Sequence, residues 1–428
     1  MLTSSATDGS VAAAADRFLS RFRRPVKFLL AVSGGSDSTG LLVALATLVA
    51  TGRYPGISLA ACTVDHALRP RSADEARAVA ALCARYGIPH SVRRWDGPKP
   101  VTGLQAAART KRYDLLLDAA AGHGADAILT AHTGDDQRET IAMRAGRAAG
   151  GVGLSGMADA VLLGGRVWLF RPLLSVDRAE IRRFLESAGE EWIDDPSNAN
   201  PRFERVRVRE GRPEAMAEAV DRLALSRRAA EFLDAHVRAL SPLLFLLPPE
   251  GIATALADPA AWRGLMLLAA TTGGRVHAPE TASADRIRTF LADGTLSRLT
   301  AGRVVFDRRR AGLFLYRERR GIEPLVLPAG GTATWDGRLG VANRGSRPLV
   351  VSAAGATIDP ALRGAARRAA EAAPRFGFAD GGPAPADRFT VEPLIAPYAR
   401  FLPGFDLPVA QALARLLGRA PFPSPPNG

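Results

Sequence analysis

The stretch from Val26 to Ala50, "VKFLLAVSGGSDSTGLLVALATLVA", constrains this chain more than any other. An apolar run of strand character stops at Ser33-Gly34-Gly35-Ser36-Asp37-Ser38, and an apolar run of helical length follows at once. A strand that is apolar throughout is buried on both faces. Two glycines after it let the backbone turn sharply and approach a ligand closely. The helix behind the bend then offers free backbone amides and the positive end of its dipole. Ser33, Ser36 and Ser38 add hydroxyl donors. The combination suits a phosphate chain, and Asp37 beside phosphate requires a cation between them, which points to Mg²⁺. Glycine-rich strand-to-helix turns with serine caps are also common structural devices. The bend lacks the G-K-[ST] of a Walker A loop and the G-x-G-x-x-G spacing of a dinucleotide site.

The pattern around the bend repeats. Strand-like runs at "SLAACTVDH" (58–66), "HSVRRW", "AILTAH" (127–132) and "RVWLFRPLL" (166–174) alternate with helical patterns at 38–50, 72–87, 104–124 and from about Asp136. Such alternation implies right-handed crossovers and an α/β fold with a doubly wound, mostly parallel sheet. Ligands of such sheets sit at the carboxyl ends of the strands. Asp65 and His66 follow the second strand; His132, Asp136 and Glu139 follow the fourth. Asp136 and Glu139 are three apart, hence on one helix face. Carboxylates there can hold Mg²⁺ or take a proton from an attacking amine, though acidic first turns also cap helices. His66 reads as readily as a packed loop histidine. Arg109, Lys111 and Arg112 in "AARTKRYDLL" form either a solvated basic face or a source of charge for an activated oxygen.

From about Arg212 the character changes to amphipathic helices, continuing towards "SADRIRTFLADG". "GRVVFDRRRAGLFLYRERRG" (302–321) reads as a hairpin around Ala311-Gly312. Short strands begin near Gly330 with "GTATWDGRLGVANRG". "EAAPRFGFADGGPAPADRF" reads as a Pro/Gly-rich loop, and "RAPFPSPPNG" as a loose tail. We therefore expect three parts: residues 1–211 with the bend, a mainly helical 212–325 ending in the hairpin, and a small α+β domain at 326–428.

The net charge of +13 points to a polyanionic partner, most often nucleic acid. Only three of the 56 basic residues are lysine, as a GC-rich coding bias would produce, but such a bias does not explain the excess over 43 acidic residues. Two cysteines, Cys62 and Cys83, form neither a disulfide framework nor a C-x-x-C pair. The N-terminus has no signal-peptide pattern, and the longest apolar run, near Leu41–Ala50, falls short of the roughly 20 residues of a membrane span. A reducing cytosol, away from membranes, is the expected compartment.

The form Ser-Gly-Gly-x-Asp-Ser resembles the PP-loop of the ATP pyrophosphatases, a Rossmann-like fold. With "DHALRPRSADEA", "AARTKRY", "TAHTGDDQRET", "GLSGM" (153–157), "RPLLSVDRAEIRRFL" (171–185) and "WIDDPSNANPRFERVRVR" (192–209), the chain is similar to the tRNA(Ile)-lysidine synthetases over roughly residues 26–210. The resemblance implies an enzyme that adenylates the C2 oxygen of the wobble cytidine in a CAU-anticodon tRNA(Ile). Free L-lysine then displaces AMP through its ε-amine. By the same resemblance, Ser33, Gly34, Gly35, Ser36, Asp37 and Ser38 hold ATP, and Asp37 and Asp136 hold Mg²⁺. Arg112 stabilises the adenylated intermediate, Glu139 engages the lysine amine, and His132 orients the cytidine or the α-phosphate. "RFERVRVR" is the local candidate for RNA contact, or else a plain edge strand. A homodimer is left open.

The chain departs from the family pattern in three places. His132-Thr133 stands for two histidines, Arg147-Ala148-Ala149-Gly150 for Arg-Gly-x-Gly, and Arg205-Val206-Arg207-Val208-Arg209 for Arg-Asn-x-Ile-Arg. The rival readings are a tRNA-thiolating PP-loop enzyme, which needs reactive cysteines, a non-catalytic RNA-binding protein, and a small-molecule amide ligase.

Overall fold

The structure is a computed structural model and describes residues 10–68, 72–145, 156–194, 221–355, 358–380 and 382–427. The chain divides into two compact units, Met1–Val220 with Ser424–Gly428, and Asp221–Pro423.

In the first unit the strands are β1 (Val26–Ala31), β2 (Ile57–Asp65), β3 (His90–Arg94), β4 (Ala127–Leu129), β5 (Ala160–Leu163) and β6 (Val167–Phe170). The helices are α1 (Val11–Leu19), α2 (Ser36–Ala50), α3 (Ser72–Arg85), α4 (Leu104–His123), α5 (Gly134–Ala145) and α6 (Arg178–Ser187). The six strands run in the order β5-β6-β4-β1-β2-β3. All neighbours are parallel except β5 and β6. The chain winds from β1 to β2 and β3 on one side and to β4 and β6 on the other. The order therefore reverses between β1 and β4, where an open α/β sheet forms its ligand crevice.

β1 is buried along nearly its whole length, as its apolar run requires. Phe18 and Phe22 pack on Phe28 of β1, with ring centroids 5.5 and 4.9 Å away, and on Phe170 of β6 at 5.7 and 5.8 Å. This aromatic cluster lies at the start of β1 and so leaves the far end of the strand to the bend. Two boundaries differ from expectation. β4 stops at Leu129, and α5 begins at Gly134 rather than Asp136. The reason is Thr133, whose carbonyl accepts the first helical bond from Gln137 N at 3.1 Å. β5 was not evident in the sequence. It pairs with β6 through Gly164-Gly165, both left-handed.

The second unit opens with α7 (Arg222–His236), α8 (Pro249–Ala257), α9 (Pro259–Thr272) and α10 (Thr281–Asp293). It also holds β7 (Arg238–Ser241), β8 (Leu244–Leu247), β9 (Arg298–Ala301), β10 (Val304–Arg309) and β11 (Gly312–Arg317) in the order β7-β8-β11-β10-β9. The expected hairpin is β10–β11. The segment read as helical also contributes β7 and β8, because Leu244, Phe245 and Leu247 bury against β11.

Further along lie β12 (Leu325–Leu327), β13 (Thr332–Trp335), β14 (Leu339–Asn343), β15 (Leu349–Ala353), β16 (Pro374–Phe378) and β17 (Phe389–Pro393), with α11 (Gly364–Glu371) and α12 (Leu407–Leu416). They form two three-stranded sheets, β12-β15-β16 and β13-β14-β17, over a core of Leu327, Trp335, Val341, Leu349 and Val351. The supposed Pro/Gly-rich loop thus contains a strand, β16, recruited by antiparallel pairing with β15. The supposed loose tail is fastened at Phe422. That residue is buried, and its backbone exchanges hydrogen bonds of 2.8 and 3.0 Å with the Gln411 amide. Among the described residues, no helix is long and apolar enough to cross a membrane.

Candidate active site

The bend after β1 and the segment after β4 end at the same edge of the sheet. Three helices start there: α2, α5 and α6. Gly40 of α2 sets how closely α6 can approach, because a Cβ on Gly40 would lie 2.4 Å from Ile181 Cγ2. Asp37 is one turn before Gly40, and Arg178 one turn before Ile181, so the same crossing brings these two side chains together. α6 is started by a capping box in which Glu180 accepts from Asp177 N at 3.0 Å. Gly134 N, at the start of α5, donates to Val176 O at 2.9 Å. Three positive helix ends facing one place make a ready anion site.

The bend itself is held from within. Ser33 N donates to Ser38 Oγ at 3.2 Å, Ser38 Oγ donates to Gly35 O at 3.1 Å, and Thr39 Oγ1 donates to Gly34 O at 3.2 Å. Ser33 is exposed, whereas Ser36 and Ser38 are buried. Gly34 is left-handed at φ +86°, and its carbonyl also accepts from Ile193 N at 2.9 Å. A Cβ there would sit 2.6 Å from Ile193 Cδ1. Gly34→Ala therefore combines backbone strain of about 1–2 kcal/mol with overpacking of about 1–3 kcal/mol. Calorimetry is expected to show ATP affinity reduced at least about tenfold. Unchanged affinity would mean that the bend does not set the nucleotide pose.

Asp37 and Asp136 meet around one guanidinium. Arg178 Nε donates to Asp37 Oδ2 at 2.9 Å and Oδ1 at 3.2 Å, and Arg178 Nη2 lies 3.7 Å from Asp136 Oδ1. Arg178 N donates to Asp135 Oδ2 at 2.7 Å. Burial lifts the Asp37 carboxyl above its ordinary value; Arg178 pulls it back only in part, and Asp136 pushes the same way as burial. Burial also works against the Arg178 charge, but Asp37 and Asp136 outweigh it and raise the guanidinium. Two carboxylates that converge on one cation, with one of them still short of positive charge, are a donor set that fits Mg²⁺. Among the described residues no group of three or more His, Cys, Asp or Glu side chains is gathered for a metal, so the remaining ligands of such an ion would have to be phosphate and water.

The other predicted residues lie on neighbouring elements of the same unit. Arg112, half-buried on α4, lies near His66 in the loop after β2. Burial first, and the Arg112 charge second, hold the His66 imidazole below the usual range. The His66 ring meets Trp95 edge-on at 6.1 Å, and Lys99 Nζ lies 5.1 Å from the Trp95 ring centre. The same loop carries Ala67 at φ +51°, tied by Ala67 N to Asp65 Oδ1 at 2.7 Å. His132 is half-buried after β4, with Nδ1 3.0 Å from Thr130 Oγ1. Glu139 is buried on α5, one turn beyond Asp136.

Three residues gained a place that sequence reasoning had not given them. Arg178 is one, although a basic residue directly after a helix-capping aspartate is a signal, since first turns favour acids. Ile193, which pins Gly34, is another and has no local signal. Thr133 is the third: at the position of the family's second histidine, its N and Oγ1 donate to Asp136 Oδ2 at 2.9 and 3.1 Å. The Arg147–Gly150 departure, most of "GLSGM", and "RFERVRVR" with Arg205–Arg209 lie outside the described residues.

The PP-loop domain family matches residues 8–213. The tRNA(Ile)-lysidine synthase of Rhizobium meliloti (strain 1021) is 47% identical, with 96% of each chain covered. That of Mesorhizobium japonicum is 41% identical over 93% of this chain and 94% of its own. Among solved structures, the U34-tRNA thiolase NcsA from Methanococcus maripaludis with its [4Fe-4S] cluster aligns at 18% identity and a TM-score of 0.39, over 47% of this chain and 70% of that one.

Proposed function

The chain belongs to the tRNA(Ile)-lysidine synthase family, and from that premise we propose that it joins free L-lysine to the wobble cytidine of a CAU-anticodon tRNA(Ile) at the expense of ATP. The observation that carries the reading is the glycine bend at the switch point, whose Asp37 shares the Arg178 guanidinium with Asp136 where three helices start. The cytidine C2 oxygen attacks the α-phosphorus of ATP, the adenylyl group passes to that oxygen and pyrophosphate leaves. The lysine ε-amine then attacks C2, and AMP departs with that oxygen.

The chain's residues divide this work. Backbone amides of Gly34, Gly35 and Ser36 and the hydroxyls of Ser33, Ser36 and Ser38 bind the triphosphate. Asp37 and Asp136 are the residues that would hold Mg²⁺, which when bound offsets phosphate charge during displacement. Glu139, buried next to Asp136 in sequence register, takes the proton that the amine must lose. His132 orients the base or the α-phosphate, with Thr130 fixing its ring. Arg112 balances charge on the adenylated intermediate. The target base leaves the anticodon stack to reach this pocket.

Thiolation is the reading to set against this one. It needs a thiolate, yet Cys62 is buried on β2 with its thiol raised by burial, and burial pushes the Cys83 thiol up to about 11. Two buried free thiols suit the reducing cytosol, where we place the enzyme.

The deciding experiment is incubation with ATP, radiolabelled lysine and a CAU-anticodon tRNA(Ile) transcript, followed by nucleoside analysis. Labelled nucleoside supports the reading; folded protein that leaves tRNA unlabelled removes it. The +13 charge adds a second expectation. If about six phosphates are contacted, raising salt from about 50 to 200 mM lowers tRNA affinity on the order of 10³-fold. A flat response in filter binding would count against electrostatic capture.

A further inference from the structure

Arg178 stands where a cation is least welcome by helix electrostatics. It is the first residue of α6, beside the positive helix end, in a turn that favours acids. Its guanidinium is nevertheless drawn inward, and 23% of its side chain is exposed. Nε reaches both Asp37 oxygens at 2.9 and 3.2 Å, and Nη2 approaches Asp136 at 3.7 Å. The backbone of the same residue is fixed separately, by its N–H to Asp135 at 2.7 Å. The side chain can therefore leave the carboxylates without unfastening the helix start.

We infer that Arg178 is a positioning residue that holds the metal's place: its guanidinium keeps Asp37 and Asp136 together until a nucleotide arrives, and excludes a free divalent cation from between them. This rests on the reading that these two aspartates take Mg²⁺. A triphosphate changes the balance in two ways. It brings oxygen ligands that two carboxylates cannot supply, and it offers the released guanidinium a new charge-assisted partner. Metal then enters only with nucleotide, which protects the acidic pair from idle metal binding.

The test is Mn²⁺ binding to the full-length chain, followed by electron paramagnetic resonance. Wild type is expected to bind Mn²⁺ weakly alone and tightly with ATP. Arg178→Met is expected to bind Mn²⁺ without ATP at least about tenfold more tightly than wild type, since a competing charge is gone. That gain should vanish when Asp37→Asn is added. A folded Arg178→Met protein with wild-type or weaker nucleotide-free affinity overturns the inference, as does a gain that survives Asp37→Asn. If Arg178→Met does not fold, Arg178→Gln removes the charge while keeping hydrogen-bonding capacity, and the same criteria apply. A wild-type protein that binds no Mn²⁺ even with ATP would instead overturn the underlying assignment of the metal site. A merely structural role would lower thermal stability without raising metal affinity.

Discussion

Asp37→Asn is expected to lower tRNA-dependent pyrophosphate release by about two to three orders of magnitude, the usual cost of removing one preorganised electrostatic group, while leaving the first unit folded. The side chain keeps its shape, so the bend and the crossing of α2 over α6 at Gly40 are undisturbed. The charge is costly where it sits, because burial raises the Asp37 carboxyl despite two hydrogen bonds from Arg178. Neutralising it therefore relieves desolvation as it loses an ion pair, and the net change in stability is expected to be small. Catalysis has no such compensation: Asp136 alone would face the metal and the triphosphate. On the proposed division of roles, the loss should appear in kcat rather than in tRNA affinity, since Asp37 is assigned to the nucleotide and not to RNA. Pyrophosphate release within about fivefold of wild type would show that Asp37 is a first-turn acid complementing the helix dipole and nothing more.

The second large effect is on stability. Asp336 sits at the turn between β13 and β14, where Asp336 and Gly337 are both left-handed at φ +50° and +70°. Its carboxylate accepts from Arg317 Nε and Nη2 at 3.0 and 2.9 Å and from Arg338 Nε at 2.6 Å, and Arg303 Nη1 lies 3.6 Å away. The Asp336 and Arg317 side chains are each 1% exposed. Asn tolerates the left-handed backbone, so Asp336→Asn removes charge and little else. It leaves the buried Arg317 and Arg338 without their anion, which costs about 3–5 kcal/mol. Hydrogen exchange in peptides covering β10–β14 should accelerate by roughly two to three orders of magnitude if those amides exchange through opening of the unit. Unchanged protection would mean that the carbonyls of Glu318, Arg320 and Gly321 satisfy Arg317 by themselves.

These two aspartates show how unevenly the sequence speaks. Asp37 was legible because its neighbours are sequential: a strand, two glycines and a helix start follow one another, and local chemistry dictates what such a bend can hold. Asp336 was visible only within "GTATWDGRLGVANRG", a stretch read as short strands; its arginine partner Arg317 lies nineteen residues away on another hairpin.

What the sequence determined by itself was the alternation that makes a parallel sheet, the phosphate-ready bend, and the acids at the strand ends. Hydrophobic periodicity and glycine placement act over a few residues, and these features need nothing more. The tertiary structure decided what crosses distance. It set the approach of α6 to α2 that puts Arg178 on Asp37 across 141 residues of chain, and the pinning of Gly34 by Ile193. It also recruited β16 from a stretch that reads as loop and tied down Phe422. In each case a weak local preference was overruled by burial and by hydrogen bonds to partners that only the folded chain brings near.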